Sequence, residues 1–324
     1  MRIVQTSKAY YPLIGGVETV ITNIAEGLSG REEIDVEVLV CNNEPSLWKK
    51  RHDVNGVLVT YVPMWTKVAS LPISPSYPFH LAKSKGDILH IHEPFPLAGM
   101  SFLVWPRIQR NFSRLVISWH SDIVRQKWAM SMYGPIMNRL LEVADRIIVA
   151  SPNHIDSSQF LLKHREKCEV IPYGIKLGWV GDWRSRHTRA ESIRLKYGTP
   201  LLLFVGRLVY YKGLTYLIDA LQQLPDAQLL IVGSGPLLSD LMKQTVGLRL
   251  EKRVKIIPNV SDEDLHAFYE ACDVFVLPSS ESSEAFGLVQ IEAMACGKPV
   301  VSTNLKTGVT FVNQHGIKIG RAHV

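Results

Sequence analysis

Short apolar runs alternate with longer amphipathic stretches along almost the whole chain. Ile3 to Thr6, Val36 to Val40, Val57 to Val62, Ile88 to His92, Leu115 to Trp119, Ile147 to Ala150 and Val170 to Ile171 have the length and apolarity of buried strands. Val17, Val20, Ile21, Ile24 and Leu28 recur at helical spacing and predict a helix over 17–28. Strand-sized apolar runs separated by helices are the pattern of a parallel sheet covered on both faces. A second series repeats the rhythm at Leu201 to Val205, Gln228 to Val232, Val254 to Ile257, Asp273 to Leu277 and Pro299 to Ser302. Between the two lies Lys176 to Pro200, rich in arginine and poor in clustered aliphatics, which reads as a junction. The expected organisation is a domain over 1–177, a junction over 178–199 and a second domain over 200–318. Residues 319–324, IGRAHV, read as a non-native tail.

Composition changes this picture little. The 324 residues suffice for two domains, and 46% hydrophobic with 20% charged residues is ordinary for a globular protein. No run of about 18 apolar residues predicts a membrane span. The four cysteines, Cys41, Cys168, Cys272 and Cys296, form no C-x-x-C pair, so neither a zinc site nor a disulfide framework is implied and a reducing cytoplasm fits. The formal net charge of +6 allows an anionic partner without requiring one.

Candidate chemistry sits at the carboxyl ends of predicted strands, where open α/β sheets bind ligands. Gly15-Gly16 follows the first strand and opens a helix, so its backbone can approach a ligand or simply make a turn. His120 ends an apolar strand and could meet a hydroxyl or pack as a structural imidazole; His92 and Glu93 end the preceding strand in the same way. Gly206-Arg207 and Lys212-Gly213 place two cations five residues apart before a helix over 214–224, suited to a diphosphate if not merely solvated. Gly233 lies in Val232-Gly-Ser-Gly-Pro236, which lacks the third glycine of a dinucleotide fingerprint. Asp262-Glu-Asp264 spells a metal motif but follows Ser261, so it reads as a capped helix start. Phe95 to Trp119 mixes Arg107, Arg110 and Arg114 with aromatics; a solvated helix and an anionic membrane surface both fit.

The densest stretch is Leu277 to Thr303. A loop carrying Glu284 precedes a helix expected from about Ala285 to Ala295, which carries Glu292. At about 100° per residue, Glu292 shares a face with Leu288, Val289, Ala295 and Cys296, and stands roughly 200° from Gln290. The helix therefore points Glu292 inward, where a carboxylate needs a buried cation or a ligand rich in hydroxyls.

Glu284-Ala285-Phe286-Gly287-Leu288-Val-Gln-Ile-Glu292, continued by Ala293-Met-Ala-Cys-Gly-Lys-Pro-Val300, resembles the Glu-x7-Glu motif of the retaining family 4 glycosyltransferases with the GT-B fold. Gly15-Gly16-Val17-Glu18, Trp119-His120-Ser-Asp122 and the Gly-Arg and Lys-Gly pairs are similar to that family's other motifs, so the resemblance runs from Met1 to about Gly316. It implies two Rossmann-like domains facing across a cleft, the second incomplete at its end. It implies transfer of a hexose, with mannose a candidate, from a nucleotide diphosphate sugar to a hydroxyl of a growing glycan or lipid-linked saccharide. Glu292 would hold the ribose diol, Glu284 and the backbone of Ala285 to Leu288 the sugar, and Arg207 and Lys212 the leaving diphosphate. His120 would contact the sugar, while Gly15, Gly16 and Gly233 line the pocket. No cofactor and no metal are expected, and no nucleic acid partner. GDP-mannose and UDP-sugars both fit as donors. A cytoplasmic enzyme, peripheral at the inner face of the membrane, is the expected setting. A sugar-nucleotide epimerase and a non-catalytic nucleotide-sugar binder remain as alternatives.

Overall fold

In the computed structural model, residues 1–13, 15–68, 71–122, 127–176, 183–314 and 321–322 are described, and they form two compact units, Met1–Tyr173 and Gly174–Val324. The first unit contains strands β1 (Arg2–Ser7), β2 (Asp35–Cys41), β3 (Lys50–Val54), β4 (Val57–Val62), β5 (Thr66–Val68), β6 (Leu71–Ile73), β7 (Gly86–Glu93), β8 (Phe112–Trp119), β9 (Arg146–Val149) and β10 (Cys168–Val170). Its helices are α1 (Gly16–Ser29), α2 (Tyr77–Leu81), α3 (Pro96–Val104), α4 (Pro106–Arg110), α5 (Lys127–Val143) and α6 (Pro152–Ser157). The main sheet has the order β10-β9-β8-β7-β1-β2-β4-β3, and every pairing is parallel except β3 with β4.

The second unit contains α7 (Trp183–Tyr197), β11 (Leu201–Val205), α8 (Leu214–Ala220), β12 (Gln228–Val232), α9 (Leu238–Gly247), β13 (Val254–Ile257), α10 (Asp262–Ala271), β14 (Val274–Leu277), α11 (Leu288–Ala295), β15 (Val300–Thr303), α12 (Gly308–Val312) and β16 (Arg321–Ala322). Its sheet is wholly parallel, in the order β13-β12-β11-β14-β15-β16. Each apolar run predicted as a strand lies in one of these two sheets, because a parallel strand buried on both faces needs a continuous apolar run. Arg321 and Ala322 of the expected non-native tail pair with β15, and the rest of that tail lies outside the described residues.

Several elements differ from the sequence reading. Strand β3 is exposed and polar, and β5 and β6 are three residues each, so no apolar run announces them. The predicted junction over 178–199 is largely α7, which lies in the second unit; residues 178–182 lie outside the described residues. Ion pairs seat this helix where apolar periodicity is missing: Arg186 pairs with Glu270, Arg189 with Glu263 and Asp264, and Arg194 with Asp273. The helix predicted over 214–224 stops at Ala220 and tightens into a 3₁₀ turn over Leu221–Gln223. Within Phe95 to Trp119, Phe95, Phe102, Ile108, Phe112, Leu115 and Trp119 are core residues, while Arg107, Arg110 and Arg114 are exposed, so the stretch buries most of its aromatics and solvates its basic face.

Candidate active site

In the second unit, three loops meet at the carboxyl ends of β11, β12 and β14. Glycines let them approach. A Cβ on Gly213, which sits at φ +66°, would lie 2.0 Å from the Pro278 carbonyl oxygen, and one on Gly233 would lie 2.0 Å from that of Gly206. No other residue type fits such contacts. Backbone bonds from Ser280 N to Tyr211 O (2.9 Å) and from Leu208 N to Ser234 O (2.9 Å) lock the loops together.

This packing buries Lys212 and Glu284 against each other. Lys212 Nζ donates to Glu284 Oε2 at 2.5 Å, and Ser279 Oγ donates to the same oxygen at 2.8 Å. Glu284 is 7% exposed and Lys212 is 9% exposed, so both charges are largely withdrawn from water and depend on each other. Thr303 Oγ1 anchors the Ser279 carbonyl at 2.5 Å from the neighbouring strand end. Arg207 stands exposed on the same loop as Lys212. The two cations predicted to act alike thus differ: one is held by a carboxylate and the other is open to solvent.

Helix α11 starts at Leu288, three residues later than predicted, after Gly287 at φ +76°. Ala285, Phe286 and Gly287 are therefore loop, tied down by Gly308 N donating to Ala285 O at 2.8 Å and by burial of Phe286. The expected inward face of α11 is also corrected. Gln290 is the innermost polar residue, 0% exposed and donating through Nε2 to Phe286 O at 3.3 Å. Glu292 is half-buried and accepts from the Tyr269 hydroxyl at 2.6 Å. Burial first, then the Glu292 charge, pushes the Tyr269 phenol well above its usual value, so it stays a donor.

In the first unit, Gly15 caps α1 in extended conformation, and Gly16 begins the helix with open space around it. His120 follows β8 and is 2% exposed. Its Nε2 lies 3.0 Å from His92 Nδ1 and its Nδ1 lies 2.6 Å from Tyr173 Oη. Burial drives its pKa down to about 3, with nearby His90, His154 and Lys8 adding to the shift. Glu93 turns inward beneath α3: Oε2 accepts from Phe95 N at 2.6 Å and Tyr133 Oη at 3.4 Å, and burial raises its pKa to about 7. Gln5, Lys8 and Tyr173 went unnoticed in the sequence because each is a single polar residue without a motif.

Ser261 caps α10 as its sequence predicts, accepting from Asp264 N at 3.2 Å, and Arg189 engages Glu263 and Asp264 at the surface. Among the described residues, no group of three His, Cys, Asp or Glu side chains is placed to hold a metal ion.

The family described as Glycosyltransferase Family 4 matches residues 14–179, and that described as Glycosyl transferases group 1 matches residues 185–320. The chain is 35% identical over 319 residues to the D-rhamnosyltransferase WbpZ of Pseudomonas aeruginosa, covering 98% of this chain and 81% of that protein. It belongs to the family 4 glycosyltransferases. The O-antigen chain mannosyltransferase C of Escherichia coli is 34% identical over 319 residues, covering 97% of this chain and 82% of that protein. Among solved structures, Anabaena HepE in complex with UDP-glucose aligns with a TM-score of 0.77 at 21% identity, over all of this chain and 85% of that one. WaaG, a glycosyltransferase involved in lipopolysaccharide biosynthesis, aligns at 0.68 and 16% identity, over 99% of this chain and 85% of that one. This glycosyltransferase has the GT-B fold.

Proposed function

We propose that this glycosyltransferase moves a hexose, mannose or a close relative, from a nucleotide diphosphate sugar to a hydroxyl of a growing glycan or lipid-linked saccharide, with retention at the anomeric carbon. The observation that carries this reading is the buried Lys212–Glu284–Ser279 cluster beside an exposed Arg207. An anion arriving at Arg207 gives Lys212 a second partner and releases acceptor capacity on Glu284 for sugar hydroxyls. Donor binding and sugar recognition are coupled through one ion pair.

In the proposed reaction the bond from the anomeric carbon to the leaving phosphate breaks. The acceptor oxygen bonds to that carbon on the same face, and its proton passes to the departing phosphate oxygen. Arg207 and Lys212 stabilise the charge gathering on the diphosphate, the task a metal performs elsewhere. Glu292, half-buried beside Tyr269, holds the ribose diol. The backbone of Ala285 to Leu288 faces the sugar, and Gly15, Gly16 and Gly233 offer backbone rather than side chain to the donor. The names of the two relatives, a rhamnosyltransferase and a mannosyltransferase, support a deoxyhexose or hexose donor such as GDP-mannose. The solved complex with UDP-glucose keeps UDP-hexoses in the test panel.

A cytoplasmic enzyme that leans on an anionic membrane completes the reading. Its support is a surface other than Phe95 to Trp119: Trp48 is 78% exposed and Trp65 61%, with Lys49, Lys50 and Lys67 close in the chain. No helix among the described residues is long and apolar enough to cross a membrane.

The deciding experiment titrates GDP-mannose, UDP-glucose and related donors by calorimetry and follows nucleotide release. Arg207→Ala removes an exposed side chain and leaves the buried pair intact. It is expected to lower turnover by roughly 10²- to 10³-fold; turnover equal to the unmodified chain would exclude the diphosphate role.

A further inference from the structure

Every ring nitrogen of His120 and His92 is engaged. His120 Nε2 and His92 Nδ1 are 3.0 Å apart, and the rings stack at 5.2 Å with planes 16° from parallel. His92 Nε2 continues to Gln5 Oε1 at 3.1 Å, and His120 Nδ1 to Tyr173 Oη at 2.6 Å. Gln5 is 0% exposed and both histidines 2%, whereas Tyr173 is half-buried. A row of four hydrogen-bonded groups thus leads from the sheet interior, on β1, to a phenol just past β10. Tyr173 is the most exposed member of the row.

Protons can populate this row in only two ways. Burial keeps both imidazoles neutral, so each carries one N–H. With Gln5 Oε1 accepting, His92 Nε2–H donates to it. His92 Nδ1 then accepts from His120 Nε2–H, and His120 Nδ1 accepts from the Tyr173 hydroxyl. Turning the Gln5 amide over reverses every donor, and the Tyr173 oxygen accepts instead. In either order the row fixes both the rotamer of the phenol and the direction of its proton. Gln5 Nε2 has no hydrogen-bond partner among the described residues, so the amide has a choice to make.

We propose that Tyr173 is the residue of the first unit that meets a hydroxyl of the transferred sugar or its acceptor, and that Gln5, His92 and His120 are positioning residues acting through it. This rests on the glycosyl-transfer reading. It reassigns His120, which the resemblance casts as the sugar contact, because both its nitrogens are already committed and its ring is enclosed. A preset phenol contributes without reorganising at the moment of reaction.

The first test needs no substrate. Nitrogen-15 spectra of histidine-labelled protein report which ring nitrogen is protonated. His92 and His120 are expected to hold the same tautomer across the neutral range, both Nε2–H in the order drawn. Opposite tautomers in the two rings, or a mixture in one ring alone, would break the row. Tyr173→Phe is expected to release His120 into a tautomer mixture. Nucleotide release from the donor that binds in the calorimetric panel is the second test. Tyr173→Phe should lower kcat/KM about tenfold, the worth of one hydrogen bond, while affinity for the free nucleotide stays unchanged. Gln5→Leu should reproduce a smaller part of the same loss. Wild-type kcat/KM in Tyr173→Phe would overturn the contact. If no nucleotide sugar binds or turns over, the glycosyl-transfer reading fails, and with it the sugar contact; the tautomers still decide the row.

Discussion

At the scale of the residue, burial decides which ionisable groups carry charge. Glu93 is 1% exposed, and one of its oxygens, Oε1, has no hydrogen-bond partner among the described residues. Its pKa is raised from 4.5 to about 7. Between those values the unfolded chain has released this proton and the folded chain has kept it. Stability from this group is therefore full below about pH 4.5 and is lost as pH rises through about 7. The stability difference between the wild type and Glu93→Gln should shift by about 3 kcal/mol in favour of the variant from about pH 4.5 to about pH 8. Denaturant titrations of both proteins across that range check it; a difference independent of pH would contradict the buried, protonated carboxyl. Glutamine still accepts from Phe95 N, so the variant keeps the turn that follows β7.

At the scale of the element, composition misled where an element is either apolar all round or polar all round. Helix α11 is almost uniformly apolar, so periodicity could not say which side packs inward; contact with β14 and β15 chose Gln290 and Ala293. Helix α7 has the opposite character and is held by arginines whose acidic partners lie over 70 residues away. The β5–β6 hairpin is joined to the preceding loop by the Ser46–Met64 bridge and by Lys67 Nζ donating to Asn43 O at 2.7 Å. It gathers Trp65, Val68 and Ile73 beside Leu47 and Trp48, all exposed, with Lys49 and Lys67 among them. Against a second copy across a two-fold axis these lysines would face each other, whereas anionic lipid attracts them. Sedimentation with phosphatidylglycerol vesicles at low salt should pellet the protein. The double variant Trp48→Ser, Trp65→Ser should lower the bound fraction at least severalfold, and high salt should weaken binding further. A supernatant-only protein at low salt would remove the membrane from the proposed function.

At the scale of the whole molecule, the two units are expected to differ in how they respond to acid. His90, His120 and His154 all lie in the first unit, and burial lowers them from 6.5 to about 4, 3 and 4. A group depressed in this way favours the unfolded chain once that chain can take up a proton. Stability is full above about pH 6.5 and is lost as pH falls towards the folded values. At about pH 4.5 each histidine costs about 2–3 kcal/mol, and together they rival the usual stability of a domain. Glu93 works in the opposite sense over part of this range and offsets about one of the three. The first unit is expected to unfold between about pH 6 and 4 while the second persists. Circular dichroism with proteolysis of the acid-treated chain would resolve the two. Loss of both units at one pH would show that the histidines do not govern the transition.

The sequence by itself determined the two parallel sheets, the strands that build them and the strand ends that carry chemistry. A strand buried on both faces must be written as a continuous apolar run, and the glycines and charged residues that follow it stand out against that run. The family motif at Glu284 to Val300 was legible for the same reason: its residues are neighbours in the chain. Only the tertiary structure paired Lys212 with Glu284, turned Gln290 rather than Glu292 inward and lined up Gln5, His92, His120 and Tyr173. Those partners sit far apart along the chain, and their hydrogen bonds exist only once the sheets have brought distant strand ends side by side.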